Sequence, residues 1–223
     1  MVSLRHVLEH LPQPRLAMER ISALLRPGGW LLVEIPNIEG WSKRYQNAKT
    51  DDIPEMDRLA KWLAERMPGE SGACLIHNDY KYDNLVLDPE DIPRIKAVLD
   101  WEMATIGDPL MDVASTLGYW VEADDPEEWR QQSFGVTTLP GNLNREQLLE
   151  HYARRTGRNM DHAVFYHAYG LFKIAVIVQQ IYARYKQGLT KDERFGRLIH
   201  LVRSASRTAA LAIEKGRISR LTR

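Results

Sequence analysis

The chain has 223 residues, of which 44% are hydrophobic, enough for the buried core of one ordinary domain. Lys and Arg together equal Asp and Glu at 30 each, so the charge does not indicate a nucleic-acid partner. The single cysteine, Cys74, excludes an internal disulfide, and its apolar neighbours predict buried packing. Neither a signal peptide nor an uninterrupted apolar span is recognisable, so we expect a cytoplasmic protein without a membrane partner.

The first 36 residues predict a helix, a turn and a strand. Apolar residues at helical spacing run from Val7 to Leu25, Pro27-Gly28-Gly29 ends the helix, and residues 30–36 form a buried-type strand. In the segments 6–11, 24–29 and 34–37 this arrangement resembles part of a class I S-adenosylmethionine-dependent methyltransferase. The glycine-rich cofactor turn of that family would precede residue 1. We therefore assign residues 1–39 to a methyltransferase-like fragment and expect it to bind no methyl donor.

The next segment predicts a helix that leads toward a strand. Thr50 or Asp51 is a candidate N-cap. One helical face is predicted to carry Met56, Leu59, Ala60, Trp62 and Leu63. Pro68-Gly69 ends this helix, and residues 72–76 form the following strand.

Residues 77–100 carry the strongest chemical pattern in the chain. His77-Asn78-Asp79-Tyr80-Lys81-Tyr82-Asp83-Asn84 reads H-x-D-x-x-x-x-N. Two apolar strands follow it, at 85–87 and 95–99, joined by a Pro- and Asp-containing turn and ending at Asp100. Phosphoryl transfer needs a carboxylate base together with an amide and a second carboxylate that hold magnesium. The hairpin predicts that Asp79, Asn84 and Asp100 meet in one cleft and fill these three roles.

This stretch resembles the aminoglycoside phosphotransferase family, which includes choline-kinase-like enzymes. His77-Asn78-Asp79 stands where that family more often shows His-Gly-Asp, Asp100-Trp101-Glu102 stands at its magnesium element, and residues 106–114 match its G-D-P-x-x-D-x-A segment. The resemblance implies an α+β, kinase-like C-terminal lobe over residues 40–223, mainly helical with a short catalytic hairpin. It also implies the cofactors ATP and Mg²⁺. In addition to the three residues above, it implies that His77 orients the loop, Lys81 contacts the nucleotide and Glu102 assists the ion.

The residues after Asp100 predict a loop and then a helix. Residues 103–109 are expected to form the loop, with Asp108 as N-cap and Pro109 in the first helical turn. Asp112 is expected to hydrogen-bond the catalytic loop rather than the metal.

The last hundred residues predict an acidic linker and three helices. Residues 122–128 are expected to be solvated surface, and helices are predicted at 142–156, 162–185 and 192–215. The second is expected to be a core helix because polar residues interrupt it too often for a membrane span. His162 and His167 on it are expected to be hydrogen-bonded packing residues.

The main functional hypothesis is an ATP- and Mg²⁺-dependent phosphotransferase that acts on a small-molecule hydroxyl. No glycine-rich loop or strand lysine precedes Gly40, so the N-terminal lobe of such an enzyme is expected to be missing and replaced by the helix–strand fragment. A partner or a further segment would then supply that lobe. Two alternatives stay open, a catalytically inactive kinase-like remnant or binding module, and a methyltransferase fragment.

Overall fold

The structure is a computed structural model that describes residues 2–4, 16, 19–20, 22–23, 31–33, 38–69, 71–132 and 135–222. Its contacts divide the chain into two interleaved units. The first contains residues 1–36 and 70–112, and the second contains residues 37–69 and 113–223. The predicted boundary between residues 39 and 40 does not coincide with this division and stays a prediction.

The first unit contains three two-stranded sheets in its described part. Their strands are β1 (Val2–Leu4), β2 (Leu31–Val33), β3 (Cys74–Ile76), β4 (Leu85–Leu87), β5 (Ile95–Val98) and β6 (Thr105–Gly107). The sheets are the parallel pair β1–β2 and the antiparallel pairs β3–β6 and β4–β5. β2 lies inside the strand predicted at 30–36. Most of the helix predicted before it, and the Pro-Gly-Gly turn, lie outside the described residues.

The predicted catalytic hairpin is confirmed by β4 and β5, which pair Leu85 with Val98. The predicted loop at 103–109 was wrong in part, because β6 forms there and pairs with β3. This strand depends on a partner about thirty residues earlier in the chain, so the local sequence carries little signal for it.

Cys74 is exposed, so the expectation of buried packing was also wrong. Only Ile76 of β3 is covered.

The second unit is helical. The helices from residue 38 onward in the described chain are α1 (Ile38–Ala48), α2 (Pro54–Glu65), α3 (Pro109–Tyr119), α4 (Glu127–Arg130), α5 (Arg145–Thr156), α6 (Ala163–Lys186) and α7 (Leu198–Lys215). Short 3₁₀ turns lie at Tyr82–Asn84, Trp101–Met103 and Glu193–Arg197. The predicted face of α2 is confirmed for Met56, Leu59 and Leu63, whereas Ala60 and Trp62 are only half-buried, and the predicted cap is wrong. The helix starts at Pro54 after Ile53, and no side chain caps it.

α6 is the core helix of this unit, as predicted. His162, which was expected to be a packing residue, instead lies exposed just before the helix begins. A methyl group at Gly170 would lie only 2.0 Å from the carbonyl oxygen of Ala114 on α3, so glycine is required for the close contact of the two backbones. Among the described helices, α6 alone is long and apolar enough to cross a membrane, so the argument from interrupting polar residues was wrong. However, 78% of that apolar stretch is buried within the protein.

The acidic segment 122–128 is not simply solvated surface, because Glu122 and Asp125 are buried beside the fully buried Arg145. The Arg145 guanidinium donates to both carboxylate oxygens of Asp125 and to the carbonyl oxygens of Trp120 and Ile218. Its backbone N–H donates to Glu122. A buried carboxylate requires such a partner, and a run of acidic residues does not show which members have one.

Candidate active site

The site is built on the loop that joins β3 to β4, and His77 ties this loop to the end of the hairpin. His77 Nε2 lies 2.7 Å from the Leu99 carbonyl oxygen, and the backbone N–H of Asp79 donates to His77 Nδ1 at 3.2 Å. Because Nδ1 accepts a hydrogen bond, Nε2 carries the proton that is donated to Leu99. The imidazole thus bridges Leu99, the residue before Asp100, and Asp79, the predicted base; its orienting role in catalysis stays a prediction.

Asp79 is in direct contact with both Lys81 and Asn84. Asp79 Oδ2 accepts from the Lys81 ammonium at 2.8 Å and from the Asn84 side-chain amide at 3.1 Å. The same amide nitrogen also donates to the Asp79 carbonyl oxygen at 2.9 Å. Since the NH₂ group of Asn84 faces Asp79, its amide oxygen faces away and is the atom suited to a cation. Asp79 and Asn84 are buried, whereas Lys81 is half-buried.

Asp100 stands at the other end of the hairpin. The backbone N–H of Leu99 donates to the Asn84 carbonyl oxygen at 2.8 Å, so Asp100 is one residue from a direct bond to the catalytic loop. Asp100 has left-handed backbone angles (φ 60°, ψ 54°), and its side chain is exposed. A non-glycine residue in this conformation is a feature of turns and functional sites.

The predicted metal ligands Asn84, Asp100 and Glu102 stay a prediction. Glu102 is exposed on the 3₁₀ turn after Asp100. Across the described ranges, no group of three or more His, Cys, Asp or Glu side chains is arranged to hold a metal ion. The donor set nevertheless suits Mg²⁺, which prefers oxygen ligands and commonly takes one or two from the protein and the rest from phosphate and water. Asn84 and Asp100 would be those protein ligands.

Asp112 forms hydrogen bonds with the backbone of the catalytic loop, which confirms its predicted hydrogen bonding. Its carboxylate accepts from the backbone N–H groups of His77 at 2.8 Å and Asn78 at 2.5 Å. Asn78 has φ 67°, in the left-handed region where the resembling family more often places glycine. Two charge-assisted bonds therefore hold a backbone turn that an asparagine does not adopt without cost. Burial raises the pKa of the Tyr80 hydroxyl, and the negative charge of Asp112 raises it further.

Asp108 has a structural role. Its Oδ1 accepts from the backbone N–H of Leu110 at 2.8 Å, which confirms that it caps α3. Its carboxylate also accepts from the backbone and hydroxyl of Ser71, which precedes β3. Sequence reasoning missed Ser71 because this contact spans 37 residues, and it missed Trp101, whose ring lies 4.6 Å from the His77 ring. An aromatic residue directly after the acidic one was the available signal for Trp101.

An H-x-D-x-x-x-x-N loop, a hairpin and an acidic residue at its end define a kinase-like phosphotransferase. The chain belongs to the phosphotransferase enzyme family, whose family model matches residues 7–163. That match begins inside the segment predicted to be methyltransferase-like. The solved structure of a Ralstonia eutropha protein described as a candidate aminoglycoside phosphotransferase aligns with a TM-score of 0.64 and 32% identity. The alignment covers 78% of this chain and 54% of that one.

Curated relatives include two mouse proteins. Acyl-CoA dehydrogenase family member 11 from Mus musculus is 37% identical over 164 residues, which is 70% of this chain and 20% of that protein. Acyl-CoA dehydrogenase family member 10 from Mus musculus is 36% identical over 155 residues, which is 66% of this chain and 14% of that protein. The chain thus spans a fifth or less of these relatives, and what their names describe is a property of the longer proteins.

Proposed function

We propose that this chain transfers the γ-phosphoryl group of ATP, with Mg²⁺, to the hydroxyl group of a small molecule. The observation that carries the proposal is the contact of the buried Asp79 with Asn84 and Lys81, together with the backbone hydrogen bond that joins Asn84 to Leu99, the residue before Asp100. Family membership supports phosphotransfer as the reaction class.

Asp79 is the residue proposed to accept the proton of the attacking hydroxyl. The hydroxyl oxygen then forms a bond to the γ-phosphorus, the bond from that phosphorus to the bridging oxygen breaks, and ADP leaves with the electron pair. His77 keeps the backbone beside the base in place through its two hydrogen bonds. Mg²⁺, when bound by Asn84 and Asp100, neutralises phosphate charge.

Lys81 is proposed to bind the transferred phosphoryl group. In this structure its ammonium lies 2.8 Å from the Asp79 carboxylate, which places a positive charge beside the proposed base. A fixed cation at this position stabilises the charge that develops on the phosphoryl oxygens in the transition state. We also propose that a second lobe, with a glycine-rich loop and a strand lysine, holds the remaining phosphates of ATP.

The test combines nucleotide binding with a survey of acceptors. Calorimetry with Mg²⁺ and ATP measures binding, and phosphate transfer is followed with an aminoglycoside, choline, a sugar and an acyl-linked alcohol. We expect Asp79→Asn to retain nucleotide binding but to lose roughly 10²- to 10⁴-fold in rate, the usual contribution of a general base. Asp100→Asn should abolish the dependence of ATP affinity on Mg²⁺. The exposed neighbour Asp83 provides the matched control, because Asp83→Asn should change neither quantity.

Absence of heat at millimolar ATP with Mg²⁺ would contradict the proposal and favour the inactive remnant or binding module. Binding of S-adenosylmethionine would instead favour the methyltransferase fragment. Full activity of the Asp79→Asn protein would contradict the assignment of the base while leaving the reaction class intact.

A further inference from the structure

Trp101 directly follows Asp100 and makes two defined contacts within the first unit. Its indole N–H donates to the carbonyl oxygen of Val98 at 2.8 Å. Its ring centroid lies 4.6 Å from that of His77, and the two ring planes are inclined by 50°. Yet 42% of the residue is exposed, and no residue of its 3₁₀ turn is buried. Since a half-exposed ring adds little to a hydrophobic core, these contacts point to a role in the geometry of the neighbouring residues.

The hydrogen bond from Trp101 to Val98 closes the chain around Asp100. It spans Leu99 and Asp100, which lie between the donor and the acceptor residue. Asp100 has left-handed backbone angles, which a non-glycine residue adopts only at a cost in free energy, so contacts on both sides must hold it there. On the far side, the Ala104 N–H donates to the Trp101 carbonyl oxygen at 2.9 Å and completes the 3₁₀ turn. The Asp100 side chain does not cap that turn, so the turn leaves its carboxylate for another partner.

The ring contact connects Trp101 with the catalytic loop through His77. The His77 ring also contacts the Tyr80 ring in a T-shaped arrangement, with 6.2 Å between the centroids. His77 Nε2 lies 2.7 Å from the carbonyl oxygen of Leu99. Trp101 and His77 therefore hold the two successive carbonyl groups that come immediately before Asp100, and their rings pack against each other while they do so.

We infer that Trp101 is a positioning residue that keeps Asp100 in its metal-binding backbone conformation before Mg²⁺ arrives. The inference rests on the proposed function, in which Asp100 and Asn84 bind the ion. A conformation that is fixed in advance removes the cost of ordering Asp100 when the ion binds. Loss of the indole hydrogen bond and the ring contact should therefore raise the Mg²⁺ concentration needed for nucleotide binding roughly 5- to 100-fold. Trp101 acts only through Asp100 and His77.

Two substitutions separate the ring contact from the hydrogen bond. Trp101→Phe keeps a ring that can pack on His77 but has no N–H group, whereas Trp101→Leu removes both. In calorimetric Mg²⁺ titrations at fixed ATP, the midpoint should rise from the unsubstituted chain to Trp101→Phe and again to Trp101→Leu, with the affinity for metal-free ATP unchanged. Saturating Mg²⁺ should restore kcat, because the variants lose preorganisation and no group that contacts the phosphates. Ile92, in the turn of the same hairpin, is 60% exposed, so Ile92→Ala is the control and should leave the midpoint unchanged.

Hydrogen exchange without nucleotide or metal provides a second readout that does not depend on the proposed reaction. The Leu99 N–H donates to the Asn84 carbonyl oxygen, and the Ala104 N–H donates to that of Trp101. Both amides should exchange roughly 5- to 100-fold faster in Trp101→Leu and less so in Trp101→Phe, because the turn around Asp100 opens more often. The amides of β3, in the same unit, should keep their rates, which separates local opening from unfolding of the unit.

Unchanged exchange at Leu99 and Ala104 in Trp101→Leu would overturn the inference. Faster exchange with an unchanged Mg²⁺ midpoint would overturn it too, since that is the result of a purely structural role. If Trp101→Leu does not fold, Trp101→Phe carries the same test with smaller expected shifts. Absence of Mg²⁺-dependent ATP binding in the unsubstituted chain would instead refute the proposed function, and the exchange rates alone would then decide whether Trp101 holds the backbone of Asp100.

Discussion

Asp112→Asn should release the catalytic loop without unfolding the protein. The carboxylate accepts from the backbone N–H groups of His77 and Asn78, and hydrogen bonds to a charged group contribute about 1.5–3 kcal/mol each. Asparagine keeps the shape but has one acceptor oxygen, so its NH₂ group would face one of the two backbone donors. The loss of one bond and the new donor–donor contact should cost roughly 2–4 kcal/mol of local stability. Asn78, held at φ 67°, should relax first.

The assay is native-state hydrogen exchange at the amides of His77 and Asn78. A local loss of about 2–4 kcal/mol corresponds to roughly 30- to 1,000-fold faster exchange, since each 1.4 kcal/mol is a factor of ten. The same change at the exposed Asp83 should leave both amides as they are. If the two amides exchange at the original rate in the Asp112→Asn protein, the carboxylate does not support the loop and the reasoning is wrong.

Three further changes probe the second unit. Arg145→Met should lower the free energy of unfolding by about 3–5 kcal/mol in urea titrations because it leaves Asp125 buried and unpaired. An Asp125→Asn change in the same protein should recover part of that loss, and full additivity would contradict the pairing. Gly170→Ala should lower the free energy of unfolding by about 1–3 kcal/mol or more, because the added methyl group overpacks against α3. Gly69 has open space around it, so Gly69→Ala is the control and should be nearly neutral in thermal unfolding. Burial holds the pKa of His167 well below its usual value. The neutral His167 ring therefore makes its full contribution to the free energy of unfolding above about pH 6.5. Below that pH the free energy of unfolding declines by up to about 1.4 kcal/mol per pH unit. His167→Gln should flatten this part of the urea-derived stability profile, and an unchanged slope would contradict the assignment.

Short-range patterns predicted the hairpin and the Asp108 cap, because both depend on residues a few positions apart along the chain. The hydrogen bonds of Asp112 to His77 and Asn78 span 35 and 34 residues, so local spacing did not set them. The αL conformation of Asn78 was not predicted, although its position in place of the family's glycine was visible. Turn chemistry and strand alternation act over a few residues, so the sequence carries them directly.

Long-range partners were not predictable in the same way. Glu122 and Asp125 look like solvated acidic residues until Arg145, some twenty positions later, is known to be buried against them. β6 looks like a loop until β3 pairs with it. The sequence analysis also underestimated how long and apolar α6 is. Its apolar stretch is long enough to cross a membrane, but most of it is buried within the protein.

By itself, the sequence determined the order of loop, strand, turn and strand that presents the candidate catalytic side chains. Only the tertiary structure decided which of its charges are buried, which backbone donors Asp112 satisfies and where two helices touch through glycine. The physical reason is that desolvation and close packing depend on the atoms that surround a group in space, and those atoms come from distant parts of the chain.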